Sequence, residues 1–169
     1  MNRTTLLLAI SGILALSIVT NGLQRNRDPL ESSLVDGVEL TTASEQEAFA
    51  PGETVRIQFV LRNCTPKAID LADSGPVFSY IIEVLNDQGR SVALTAQGAQ
   101  LEEMRRSTSG HGLEIPPGET HADEVELSRW FELSKPGRYT VRAARRLFPT
   151  GYDDPVRLVS NILTITVLQ

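Results

Sequence analysis

The residues of this sequence best suited to acid–base, nucleophilic or metal chemistry are two histidines and one cysteine. His111 lies in a run of small residues, and His121 stands two positions before Asp123. Neither histidine belongs to an H-E-x-x-H pattern, and no serine lies in a G-x-S-x-G pattern. The single Cys64 excludes an internal disulfide and a multi-cysteine metal site, and its position beside a predicted strand favours a buried, inert thiol. We therefore expect no catalytic activity, no cofactor and no metal.

A second candidate site is the loop from Leu147 to Val156. Aromatic residues flanked by arginine are enriched at the centres of protein interfaces, and Arg145, Arg146 and Arg157 flank this loop. The adjacent carboxylates of Asp153 and Asp154 supply few of the 6–8 oxygen ligands that calcium takes, so they favour a solvated turn over a metal site. The aromatic rings either bind a partner or cap the end of the core. The predicted binding residues are Phe148, Tyr152, Asp153, Asp154 and Arg157.

The loop from Gln97 to Gly118 carries Arg105 and Arg106, the residues that a proteinase inhibitor would present. Leu101–Arg106 has the pattern of a short helix, and Ser107–Gly112 is small and flexible in composition. An inhibitory loop must be preorganised, because ordering a flexible segment consumes binding energy. The composition therefore favours a protease substrate over an inhibitor.

Composition limits the classes of partner. The 169 residues carry 21 acidic and 16 basic side chains, for a net charge of −5. This balance disfavours nucleic acid, which requires a basic stripe. With 41% hydrophobic and 22% charged residues, the chain has the composition of one globular domain.

The amino terminus has the layout of an export signal. Arg3 precedes an apolar run, Leu6–Val19, that is shorter than the roughly 20 residues a membrane-spanning helix needs. We predict a helical signal peptide over residues 1–22, a polar linker over 23–36 and a folded domain over 37–169. The domain is then exported to the periplasm, the exterior or the outer side of the membrane. An uncleaved segment would instead tether it as a signal anchor, which is the only membrane association expected.

The folded part shows a period of two. Val55, Ile57, Phe59 and Leu61 alternate with polar residues, as in a half-buried antiparallel strand. Similar short segments follow, including Ala68–Leu71, a strand from Phe78 to Val84, and Ser91–Thr95. Pro-Gly pairs at 51–52, 117–118 and 136–137 supply the positive φ of type II turns. Seven or eight such strands predict an all-β antiparallel sandwich.

Tyr139 indicates the kind of sandwich. It follows a Pro-Gly turn at Gly137 and stands just inside a strand, as the tyrosine corner of immunoglobulin-like sandwiches does. Val141 occupies the place of the antibody cysteine, which favours a cysteine-free bacterial or fibronectin-type sandwich. Trp130 is expected to close the core near this corner.

Two resemblances extend this prediction. Residues 49–63 resemble the opening strands of immunoglobulin-like modules found on exported bacterial proteins. About half of the chain resembles the domain named after the intracellular proteinase inhibitor of Bacillus (BsuPI). The shared features are the strand ending at Asn63, Ile69–Leu71, Phe78–Val84, Asp87–Gly89, Leu113–Gly118 and the Pro-Gly-x-Tyr139 corner.

These observations predict an exported immunoglobulin-like domain that binds another protein or a cell-surface component. The BsuPI resemblance implies a proteinase inhibitor as the alternative. A structural spacer held by a signal anchor is the third expectation.

Overall fold

The computed structural model describes residues 34–35, 37–105, 110–147 and 156–169. The predicted signal peptide and most of the predicted linker lie outside these residues. Within the described ranges no helix has the length and apolar character needed to cross a membrane. The strands are β1 (Leu34–Val35), β2 (Val38–Ala43), β3 (Ala48–Phe49), β4 (Arg56–Asn63), β5 (Ile69–Asp73), β6 (Tyr80–Asn86), β7 (His111–Ile115), β8 (Thr120–Glu126), β9 (Gly137–Leu147), β10 (Val156–Val159) and β11 (Leu163–Val167). The helices are α1 (Pro76–Ser79) and α2 (Ala96–Met104), with a 3₁₀ turn over Leu127–Arg129.

The fold is mostly β and is built from antiparallel sheets, as the alternating sequence pattern predicts. One sheet has the order β1-β2-β4-β8. In the second sheet, β9 pairs with β6 along one side and with β10 and β11 in succession along the other, and β3 adds to β11 in parallel. β5 and β7 form a separate antiparallel pair. The described residues thus form more strand segments than the seven or eight expected, partly because β1 and β3 have only two residues each.

The two large sheets share one hydrophobic core. β4 contributes Ile57, Phe59 and Leu61, each with no exposed surface, so the predicted alternation is confirmed. β9 and β11 contribute Val141 and Ile165 from the second sheet to the same cluster. Each side chain buried in this way contributes about 1.5–3 kcal/mol to folding.

Three local predictions were wrong. Phe78 lies in α1 and not in a strand, because Pro76 begins a helical turn and β6 starts only at Tyr80. Ser91–Thr95 forms no ladder, since it makes isolated bridges to two different partners. His111 lies in β7, within the segment predicted as a flexible loop.

The predicted helix at residue 101 begins earlier, at Ala96. Thr95 caps it, because its Oγ1 accepts a hydrogen bond from the Gly98 N–H at 3.0 Å. A helix at this place was predicted; its first turn was missed because Ala96 and Gln97 carry no helical periodicity.

Cys64 is exposed, so the prediction of a buried thiol was wrong. The alternation of β4 buries Asn63 at the strand end and turns the next residue outward. The Asn63 amide donates to Lys67 O and Ile115 O at 2.7 and 2.9 Å, which joins the strand end to β7.

Candidate functional site

Most of the predicted binding loop lies outside the described residues, namely Phe148, Tyr152, Asp153 and Asp154. Arg157 is described, and it is exposed on β10 directly opposite Arg146 of β9. Like charges in this register repel each other. The end of this sheet therefore presents two exposed positive charges.

Arg145, which the sequence groups with the exposed arginines, has the opposite role. Its side chain is 1% exposed and points into the protein between the sheets. Nη2 lies 3.1 Å from Asp73 Oδ1 and donates to Ala72 O, while Nη1 donates to the Tyr80 hydroxyl at 3.1 Å. The expectation that Arg145 flanks the binding loop was wrong, because β9 alternation turns it to the inner face.

Arg105, half of the predicted inhibitory pair, lies at the C-terminal end of α2. Its Nη2 donates to Val77 O at 3.0 Å and to Tyr80 O at 2.6 Å, and Nε lies 3.4 Å from Glu102 Oε2. The guanidinium thus holds α2 against the start of β6. Arg106 lies outside the described residues, so the inhibitory role of the pair stays a prediction.

Two of the residues predicted to be structural, Gly137 and Tyr139, lie at the start of β9, whereas Trp130 lies beside α2, where its carbonyl accepts a hydrogen bond from the Thr95 N–H. Tyr139 is 5% exposed, and its hydroxyl donates to Lys135 O at 2.6 Å. Gly137 begins β9, and Trp130 packs half-buried against the core after the 3₁₀ turn. Burial, together with the nearby Asp87 carboxylate, raises the pKa of Tyr139, which keeps the hydroxyl protonated as a donor.

Arg145 is the centre of a polar cluster that joins three sheets. We call the set Asp73, Tyr80, His121, Asp123 and Arg145 the ionic cluster. The Tyr80 hydroxyl donates to Asp123 Oδ2 at 2.9 Å, and His121 Nε2 lies 3.3 Å from the same oxygen. The Arg145 guanidinium also lies 5.0 Å from the Tyr80 ring centroid.

Burial and charge act in opposite directions on Asp73. Desolvation raises the pKa of this carboxyl, but the Ser79 hydroxyl, the Arg145 charge and the Gly75 N–H stabilise its ionised form. As a result, the pKa of Asp73 lies below its ordinary value of 3.8. Desolvation is also the main cause that raises the pKa of Tyr80 above 10.0, so its phenol remains a donor. The cluster therefore contains an ionised, buried Asp73–Arg145 pair at neutral pH.

The cluster has residue types that occur in active sites, but their order differs from a catalytic triad. The Ser79 hydroxyl donates to Asp73 Oδ1 at 2.8 Å, and His111 Nε2 lies 3.8 Å from the other oxygen of the same carboxylate. In a triad the serine donates to the histidine, and the aspartate lies behind it. Here the aspartate lies between them, so His111 does not activate the hydroxyl.

Asp73, His121 and Asp123 also place ligand atoms within 4.8 Å of one another, a spacing that suits a metal ion. The Arg145 guanidinium already lies 3.1 Å from Asp73 and 3.9 Å from Asp123. It supplies the positive charge that these carboxylates require, and it would repel a cation. This geometry fits an internal ion pair better than a metal centre.

An apolar groove lies along the edge of β6 that faces away from β9. It has a volume of about 260 Å³ and runs between β6, α2 and the segment around Trp130. Ile81 and Leu94 on its walls are 46% and 42% exposed, which is high for large apolar side chains. The lining residues are Val77, Ile81, Ile82, Leu94, Gly98, Leu101, Glu102, Arg105, Trp130 and Phe131.

The groove runs beside a free stretch of sheet edge. Ala143, opposite Ile82 on β9, turns both its N–H and its C=O toward Ser160. The Ile82 backbone therefore faces away from β9, toward the groove. In the described part of the chain, no group is hydrogen-bonded to the Ile82 N–H or C=O on this side.

The edge is closed at both ends of this stretch. Arg105 occupies Tyr80 O, and the Val92 N–H donates to Val84 O at 2.9 Å. The Ile82 donor and acceptor lie between these two occupied carbonyls, and no described residue bonds to them. The sequence carries one signal of this site that was missed: adjacent apolar residues Ile81 and Ile82 interrupt the alternation of β6, so one of them must face solvent.

No protein-family model matches this chain, and no curated protein matches it significantly. A structure of a family 123 glycoside hydrolase from Clostridium perfringens, analysed for glycolipid glycan hydrolysis, is similar over 78% of this chain and 27% of that chain. The match has a TM-score of 0.36 and 9% identity, and it spans about a quarter of that enzyme. A likeness of this extent carries no argument about the activity of this protein.

Proposed function

We propose that this protein is an exported, non-catalytic domain of immunoglobulin-like type that binds another protein or a cell-surface component. The observation that carries the proposal is the open edge at Ile82 beside the apolar groove. Sheet edges with free backbone groups bind extended chains, and neighbouring apolar pockets give such binding its selectivity.

The arrangement of strands supports the immunoglobulin-like part of the proposal. β2, β4 and β8 correspond in order to strands A, B and E of such a sandwich, and β6, β9 and β11 to strands C, F and G. The hydrogen bond from Tyr139 to Lys135 O, at the start of β9, corresponds to the tyrosine corner near the start of strand F. Export rests on the pattern of Arg3 and Leu6–Val19 in the sequence.

The polar residues support a non-catalytic role. The carboxylates of Asp73 and Asp123 are engaged with Arg145 and Tyr80, and the Ser79 hydroxyl is directed to a carboxylate. These contacts favour a structural role for the cluster, because the two carboxylates and the Ser79 hydroxyl already have the hydrogen-bond or ionic partners that buried polar groups require.

Capture from the envelope fraction of the native host tests the proposal. The full chain is immobilised beside two variants, Leu94→Glu in the groove wall and Leu168→Glu as the matched control. Leu94 and Leu168 are similarly exposed, at 42% and 48%, but only Leu94 lines the groove.

We expect one or more discrete proteins to be retained by the wild type and the control and lost from Leu94→Glu. Retention of nothing would favour the spacer function. Equal retention by Leu94→Glu would place the binding surface elsewhere and contradict the proposal. Stoichiometric inhibition of a serine protease by the same preparation would favour the inhibitor function.

A further inference from the structure

The proposed function does not itself specify which chemical class of partner binds. The groove beside Ile82 indicates that class. We infer, on the basis of that function, that the groove binds the C-terminal end of a partner chain. The last residues are extended, one apolar side chain occupies the groove, and the terminal carboxylate lies at Arg105.

The backbone of β6 determines that the occupant is an extended peptide. Ile82 offers one N–H donor and one C=O acceptor on the same side, which is the arrangement that one residue of an antiparallel strand satisfies. The residue opposite Ile82 directs its side chain to the same face as the Ile82 side chain, which is half-buried and lines the groove. An apolar side chain is therefore selected at that position.

The length of the open edge determines that the occupant is short. Tyr80 and Val84, whose carbonyls are both occupied, lie four residues apart, which is about 13 Å along a strand. A long strand would meet Arg105 at one end and Val92 at the other. The same obstacles exclude pairing between the β6 edges of two copies of this chain, because each edge carries an Arg105 and a Val92 in the corresponding places.

The charge at the closed end determines which chain terminus fits. An antiparallel occupant runs from the Val84 side toward the Tyr80 side, so it ends at Arg105. Nη2 of Arg105 donates to Val77 O in α1 and to Tyr80 O in β6, but Nε is hydrogen-bonded to no described residue. Its ionic neighbour Glu102 is 58% exposed and lies 3.4 Å away, so it can turn to solvent as a carboxylate approaches. A positive group at the end of an extended site favours a free C terminus.

Two pools of synthetic pentapeptides test the inference. Both are random except for Leu, Ile, Val or Phe at the last position, and they differ only in a free or an amidated C terminus. The immobilised full chain is exposed to each pool, and retained peptides are identified by mass spectrometry. The most enriched peptide is then labelled with fluorescein, and its dissociation constant is measured by anisotropy.

We expect retention from the free-acid pool, with amidation weakening the selected peptide by about tenfold, as for one lost charge-assisted hydrogen bond. Arg105→Gln should weaken the free acid to a similar degree and leave the amide unchanged, whereas Arg62→Gln, an exposed arginine on β4, changes neither. Ile82→Pro should abolish binding while the protein stays folded, because the N–H it removes points away from β9.

Three results would overturn the inference: retention of nothing from the free-acid pool, equal affinity for acid and amide, or unchanged binding by folded Ile82→Pro. If Arg105→Gln fails to fold, the comparison of acid and amide on the wild type still decides the role of the carboxylate. Leu94-dependent capture of a partner protein does not require a free C terminus in the groove. The proposed function can therefore hold when this inference fails.

Discussion

Replacing Arg145 by methionine is the most severe single test of how this fold is held together. Methionine retains much of the length of the side chain and removes its charge. The change leaves Asp73 and Asp123 facing each other in the interior, with side-chain exposures of only 8% and 10%. The Tyr80 hydroxyl loses one hydrogen-bond partner at the same time.

The expected cost follows from the burial of the pair. Removing one member of a buried ion pair typically destabilises a protein by about 3–5 kcal/mol, since an uncompensated charge remains inside. Total stabilities of single domains are about 5–15 kcal/mol, so the variant stays folded only if the wild type is well above the lower bound. With a urea dependence of about 2 kcal/mol per molar, a loss of 4 kcal/mol lowers the unfolding midpoint by about 2 M.

Urea unfolding followed by tryptophan fluorescence measures this cost, with Trp130 as the probe. Arg146→Met is the matched control, because Arg146 is the next residue, is exposed, and should change stability by less than about 0.5 kcal/mol. Adding Asp73→Asn to Arg145→Met should recover about 1–2 kcal/mol, since it removes one of the uncompensated charges. If Arg145→Met lowers the free energy of unfolding by less than about 1 kcal/mol, the buried Asp73–Arg145 ion pair does not stabilise the fold to the extent expected.

Three further predictions concern Asp73, Tyr139 and Gly98. The pKa of Asp73 is lower in the folded protein, so its stabilisation is fully present above the unfolded pKa of about 3.8 and is lost as the pH falls through the lower folded value. The difference in unfolding free energy between wild type and Asp73→Asn should therefore shrink between pH 6 and pH 2, and a constant difference in urea titrations would contradict this. Tyr139→Phe removes the bond to Lys135 O and should cost about 0.5–1.5 kcal/mol by thermal unfolding; an unchanged midpoint would show that the bond contributes nothing. Gly98→Ala should destabilise by about 1–3 kcal/mol although alanine favours helix, because its Cβ would lie 2.2 Å from Trp130 O; a stabilised variant would show that α2 is free to shift.

The parts of the fold that depend on local pattern could be predicted from the sequence. Ile57, Phe59 and Leu61 alternate with polar residues, and the structure buries all three. Gly52 and Gly118 have φ values of +77° and +78°, as their Pro-Gly turns require, whereas Gly137 of the third pair has a φ of +153° and does not fit the predicted type II turn. Both features are set by near neighbours in the chain, which the sequence displays directly.

The parts that depend on distant partners could not be predicted. Arg145 and Arg146 are identical residues in sequence, and a buried arginine is unexpected unless its carboxylate is known. That carboxylate, Asp73, lies 72 residues earlier and reaches Arg145 only in the folded protein. The groove is formed in the same way, because Leu94 meets Ile82 only after α2 and the Trp130 segment are in place.

Photo-crosslinking from the groove wall tests whether a protein binds at the Ile82 edge of β6. A photoreactive amino acid replaces Ile81 in one version of the full-length protein and Leu168 in another, two apolar positions exposed by 46% and 48%. Irradiation of cells that express each version is followed by mass analysis of the adducts. We expect a discrete protein adduct from position 81 and none from position 168. No adduct at position 81, or the same adducts at both positions, would contradict a protein-binding surface at this edge of the sheet.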